Sequence, residues 1–232
     1  MKKLLSLLLL LSFALSLAAC PTPVPDEGGE STAHVLTSPA RDVYYCAEND
    51  VTYRRQPALY LPMRLAREPY AIYENEHGAR LSFFSLAEGS EERYLMLADE
   101  EDLYPYYMIT AEGYEMPTLA EMDPYQIVIC TTEEEMFWLS PNVYDQIRTV
   151  ERVRAIVSAY ESGEAAQLPV LAEPTACVEL IFVSALYEDF AYTCTYYEYE
   201  DGACYLKETA TGRCVQVAGG LFEGYRLTED AL

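Results

Sequence analysis

Few side chains in this sequence can do bond-making chemistry, and they are scattered. His34 and His77 are the only two imidazoles in 232 residues, so a Ser–His or Cys–His nucleophile pair has almost no choice of base. His34 lies in a Pro- and Gly-rich stretch, where a histidine is expected to be solvated. His77 lies in Asn75-Glu76-His77-Gly78, a turn. No Gly-x-Ser-x-Gly elbow occurs, and neither phosphate-cradling glycine pattern is present. Two carboxylates about 5–10 Å apart would suffice to hydrolyse a glycoside. The candidates are Asp99 to Asp102, Glu133 to Glu135 and Glu188-Asp189. All three fall in turns or at a helix start, where acids face water or complement the helix dipole. The Asp-x-Asp-x-Asp-Gly spacing of a calcium loop is missing, so Asp99 to Asp102 would hold that ion only loosely. The sequence therefore names no catalytic residue, metal ligand set or cofactor.

Sulfur and phenol groups are more numerous. Cys46, Cys130, Cys177, Cys194, Cys204 and Cys214 lie in the body of the chain, an even number that permits up to three disulfides outside the cytosol. They sit inside apolar runs, where a free cysteine serves as a small hydrophobe. Close paired spacing is absent, which argues against structural zinc. Tyrosines number 21 and bunch at Tyr104 to Tyr107 and at Tyr192, Tyr196, Tyr197 and Tyr199. Flat rings with polar tips suit sugar or protein contacts, and equally suit half-buried strands.

The elements that must position these groups are mostly strands. Val43 to Cys46 and Val51 to Tyr53 flank a turn at Glu48 to Asp50. Ala58 to Met63 is apolar, but Pro57 and Pro62 confine it to an edge or a loop. Tyr70 to Tyr73, Arg80 to Leu86 and Arg93 to Ala98 read as an antiparallel meander. Tyr106 to Thr110 and Gln126 to Cys130 are two more strands. A Thr-Thr-Glu-Glu-Glu start predicts a short helix over about 132–139, ended by Pro141 and anchored by Trp138. Ile147, Val150, Val153, Val157 and Tyr160 at helical spacing predict the clearest helix, about 146–162, with Gly163 as its stop. Four strands follow: Cys177 to Leu186, Phe190 to Tyr199, Ala203 to Thr209 and Arg213 to Ala218. The fold class is α+β, β-rich, with antiparallel meanders in two units, 41–140 and 141–232.

One register can be worked out in advance. With Asp201-Gly202 as a two-residue turn, Tyr199 faces Cys204 and Cys194 faces Thr209. Cys194 and Cys204 then point to opposite faces. With Thr211-Gly212 as the next turn, Cys214 shares a face with Cys194 but lies two strands away, roughly 9–10 Å. Neither geometry favours a disulfide.

Charge and the N-terminus locate the protein. There are 15 basic against 38 acidic residues, a formal charge of −23. Such an excess argues against nucleic acid and against electrostatic attachment to anionic lipid, and favours cationic proteins or peptides. Met1-Lys2-Lys3, the apolar stretch Leu4 to Leu17 and the small residues before Cys20 make a secretory signal, too short for a comfortable membrane span. Leu17-Ala18-Ala19-Cys20 resembles the lipobox of bacterial lipoproteins. That resemblance covers residues 1–20 only. It implies cleavage of residues 1–19, a diacylglycerol on the Cys20 sulfur, and anchorage to the bacterial cell membrane with the body on the extracytoplasmic side. Residues 20–40, rich in Pro, Gly, Ser and Thr, read as a flexible spacer. The expected role is a non-catalytic module binding a protein, peptide or sugar. The alternatives are a carboxylate hydrolase acting on an envelope polysaccharide and a structural accessory of an envelope complex.

Overall fold

Turn residues cut the chain into segments too short for helices, and their β-branched and aromatic content makes them strands. The computed structural model describes residues 33–56, 61–98, 100, 105–131, 143–208 and 211–227. Ala33–Leu232 form one compact unit. The first strands are β1 (His34–Ala40), β2 (Val43–Cys46), β3 (Val51–Arg55) and the two-residue β4 (Leu61–Pro62). They are followed by β5 (Ala71–Glu74), β6 (Arg80–Phe84), β7 (Tyr94–Ala98) and β8 (Pro105–Ala111). Seven of these close into a barrel in the order β1-β2-β3-β8-β7-β6-β5. Every pairing is antiparallel except the closing one, where His34 and Val35 run parallel beside Ala71 and Ile72.

Strand β1 occupies residues 34–40, which the composition assigned to the spacer. Only Leu36 of its seven residues is buried, so no apolar alternation marks it. Backbone pairing to β2 and β5 holds it in place. The 43–46/51–53 hairpin and the 70–98 meander form as expected. The segment around Pro62 is indeed an edge piece, which among the described residues pairs only with the start of strand β13 (Phe190–Glu198).

Beyond the barrel come β9 (Gln126–Thr131), β10 (Val143–Ile147), helix α1 (Val150–Ser162) and β11 (Glu164–Ala165). Strands β12 (Ala176–Val183), β13, β14 (Cys204–Glu208) and β15 (Cys214–Val217) complete a sheet ordered β10-β9-β12-β13-β14-β15-β11. The expected boundary at 140/141 falls between β9 and β10, which pair with each other. Helix α1 begins at Val150 rather than 146, because residues up to Ile147 belong to β10. Its buried side is Val153, Ile156 and Tyr160, while Val150 is exposed. Gly163 ends it in an extended conformation, φ −64°, not the left-handed one usual for such a glycine. A Cβ there would stand 2.8 Å from both the Ala159 carbonyl oxygen and Val215 Cβ. Close approach to β15 is what requires glycine. The short helix expected at 132–139, with Trp138, lies outside the described residues. No helix among the described residues is long and apolar enough to cross a membrane.

A shared core joins barrel and sheet. Strand β7 is buried on both faces, which explains its unbroken apolar run. Leu95 and Leu97 point into the barrel with Leu36, Tyr44, Tyr53 and Phe83. Tyr94 and Met96 point outward and join Leu180, Phe182, Phe190, Tyr196 and the buried side of α1.

The β13–β14 hairpin corrects the expected register by one residue. Tyr199 N–H donates to the Ala203 carbonyl at 3.0 Å, so Glu200, Asp201 and Gly202 form a three-residue loop with Gly202 at φ +82°. Glu198 therefore faces Cys204, and Cys194 faces Glu208. Cys194 and Cys204 share a face but lie four residues out of step. Cys214 pairs with Lys207, which places it opposite to Cys194. Cys46, Cys130, Cys194, Cys204 and Cys214 are buried thiols outside any disulfide, and Cys177 is half-buried.

Candidate functional site

The loop from β12 to β13 is shaped by one serine. Ser184 Oγ donates to the Met122 carbonyl and accepts the backbone N–H of Leu186 at 2.9 Å. That compact turn lifts Leu186 into solvent and sets Tyr187 and Glu188 beside the β4 segment, where Met63 N–H donates to the Asp189 carbonyl at 2.8 Å. Tyr125 is drawn in from the other side by its N–H bond to the Val183 carbonyl, 3.0 Å. Together these enclose an open cleft of about 420 Å³ lined by Met63, Arg64, Tyr125, Val183, Tyr187 and Glu188. Its apolar lining is partly exposed: Met63 46% and Tyr125 48%. Arg64 and Glu188 approach to 3.9 Å across it. Both side chains are largely in water, so the pair adds little stability and is free to re-pair with a ligand. A smaller groove of about 270 Å³ runs along α1 between Asp123, Pro124, Arg154 and Glu161, with Arg154 and Asp123 at 3.9 Å.

A second cluster lies at one mouth of the barrel. Leu36 pairs with Cys46, and the same register continued one pleat outward sets His34 against Glu48. The imidazole, thiol and carboxylate place one ligand atom each within 4.8 Å of one another. Cys46 is buried, His34 half-buried and Glu48 exposed. The Cys46 thiol donates to Glu48 Oε2 at 3.4 Å. Burial pushes the thiol pKa up, while the backbone N–H groups of Asn49 and Glu48 pull against it. The Glu48 carboxyl is held below the ordinary range, first by its own backbone N–H and then by the Cys46 thiol. His34 packs on the Tyr70 ring at 4.7 Å, and Asn49 Nδ2 donates to the Tyr70 hydroxyl.

The groups singled out in the sequence are not gathered into one place. Cys20 and Glu133 to Glu135 lie outside the described residues. His77 is an exposed turn residue whose N–H donates to Asn75 Oδ1 at 2.9 Å, as its surroundings implied. Of Asp99 to Asp102 only Glu100 is described. It is held by Arg80 at 3.0 Å and by the Ser82 hydroxyl. Glu188 borders the cleft, whereas Asp189 accepts the Tyr94 hydroxyl at 2.7 Å. Tyr192 and Tyr196 are buried in the shared core, while Tyr197 and Tyr199 alternate onto the other face of the sheet. Tyr107 bonds Tyr44 at 2.8 Å under the Arg55 guanidinium.

The cleft, Glu188 apart, and the His34–Cys46–Glu48 grouping went unread in the sequence. The grouping left no local mark: Glu48 falls in the turn after β2, and β1–β2 pairing brings His34 to it. Met63, Tyr125 and Tyr187 carry none either, since loops bring them together. Compared with family models, curated proteins and solved structures, the chain matches none.

Proposed function

We propose that this is a lipid-anchored extracytoplasmic binding module that captures a cationic, partly apolar peptide segment. The observation carrying this reading is the cleft beside β4: exposed apolar side chains around an ion pair that can open. Met63, Tyr125 and Tyr187 offer the contact area, aromatic and methionine side chains being those favoured at binding surfaces. Glu188 takes a basic side chain of the ligand in place of Arg64. The strong acidity of the chain, −23 overall, draws such a ligand in from solution. The Leu17-Ala18-Ala19-Cys20 sequence supports the anchor, and two acyl chains are sufficient for stable attachment without a basic patch.

The test uses residues 21–232, titrated calorimetrically with a Lys-rich peptide containing Leu and Phe. Binding is expected at roughly 0.01 M salt and is expected to weaken strongly at roughly 1 M, as the screening length falls from about 30 Å to about 3 Å. A Met63→Ala, Tyr125→Ala double variant should lose most of the affinity while keeping the salt dependence of what remains. Undiminished binding by that variant would show that the cleft is not the site. No binding at low salt would remove the proposal altogether.

A further inference from the structure

Three donors of different chemistry meet at the barrel mouth, and the fold brings each there by a separate constraint. His34 is fixed by its N–H bond to the Tyr70 carbonyl, 2.9 Å, and by the Tyr70 ring against its imidazole. Cys46 ends β2 with its side chain turned into the barrel core. Glu48 follows two residues later, in the turn after β2, within reach of the Cys46 thiol at 3.4 Å.

We propose that His34, Cys46 and Glu48 bind one zinc ion, with water in the fourth position. Bonds of about 2.0–2.3 Å at tetrahedral angles put ligand atoms roughly 3.3–3.8 Å apart. The three atoms here lie within 4.8 Å of one another, so closing on an ion takes a shift of roughly an ångström, which the exposed Glu48 side chain can supply by rotation. The donor set selects the metal. Calcium and magnesium take oxygen ligands, whereas one imidazole, one thiolate and one carboxylate suit zinc. Burial is graded from Cys46 through His34 to Glu48, so the open coordination position faces solvent and a small ligand can reach it. On binding, Zn–S and Zn–O bonds replace the Cys46–Glu48 hydrogen bond, and the thiol proton leaves to water. The long separation of His34 from Cys46 in sequence hides the site, because β1–β2 pairing rather than a local motif brings them together.

The test is cobalt titration of the whole chain, stripped with chelator and purified in detergent. The expected result is a thiolate-to-cobalt charge-transfer band with the visible bands of a tetrahedral ion, saturating at one equivalent and erased by zinc. Cys46→Ser should abolish the charge-transfer band. Because Cys46 is buried and its replacement can disturb folding, His34→Gln and Glu48→Gln provide the second arm. Each should weaken cobalt binding by at least about tenfold, the loss seen even for outer-shell changes at such sites, with an unchanged circular dichroism spectrum. A folded chain with no charge-transfer band overturns the proposal. So does a band that persists in Cys46→Ser, or cobalt affinity unaltered in both Gln variants.

Discussion

Replacing Tyr94 by Phe tests whether barrel and sheet are one cooperative structure. Tyr94 leaves the barrel wall on its outer face, and its hydroxyl donates to Asp189 Oδ2 at 2.7 Å. Its ring stands edge-on to Phe190 at 5.5 Å. Phenylalanine keeps the ring contacts, so the substitution isolates one hydrogen bond between the two halves of the fold. A bond to a charged acceptor contributes about 1.5–3 kcal/mol. Asp189 is half-buried, so water recovers part of it, and the expected loss is about 1–2 kcal/mol. For a body of this size that lowers the melting temperature by roughly 2–8 °C. Urea denaturation followed by near- and far-ultraviolet circular dichroism should show one transition for both proteins, displaced in midpoint with an unchanged slope. In an Asp189→Asn background the cost should shrink, giving a coupling of about 0.5 kcal/mol or more. Two separate transitions would refute the shared core. A loss below about 0.3 kcal/mol, well under the usual worth of such a bond, would refute the assigned role of the hydroxyl.

Other outcomes follow from single residues. Gly163→Ala should cost about 1–3 kcal/mol by overpacking against Val215, measured by the same urea titration; stability equal to the parent would show that α1 can move off β15. Gly202→Ala, with open space around it but φ +82°, should cost only about 1 kcal/mol of backbone strain. Burial raises the phenol pKa of Tyr53, Tyr94, Tyr160 and Tyr192, that of Tyr160 to about 12. These groups ionise more readily unfolded, so the stability they confer is intact below about pH 10 and is lost as pH rises past it. A spectrophotometric alkaline titration should show a late, cooperative tyrosinate step coinciding with unfolding; gradual ionisation of every tyrosine near pH 10, with structure retained, would contradict the burial. Cys20→Ala should release the protein from membranes or leave it unprocessed, and persistent mature attachment would end the lipobox reading.

Local physics was enough to read much of this chain. Alternating and continuous apolar runs marked most strands, because a pleat with period two must place every second side chain in a core. Helical spacing marked α1, since Val153, Val157 and Tyr160 recur on one side. The turn at His77 and the Pro62 edge piece were equally legible, each resting on backbone restrictions that need no distant partner. The lipobox resemblance, too, lies wholly in contiguous residues.

Tertiary structure decided the rest. Strand β1 has one buried side chain and is a strand because two neighbours hydrogen-bond to it. Gly163 reads as a helix stop from either cause, and only the position of Val215 shows that close packing is the cause. The hairpin at Asp201-Gly202 slipped one residue because a three-residue loop with Gly202 left-handed fits the strand twist, and that single step moved Cys204 onto the face of Cys194. The cleft and the His34–Cys46–Glu48 cluster join residues separated along the chain. Their convergence depends on strand pairing and loop closure, long-range contacts that no local pattern in the sequence encodes.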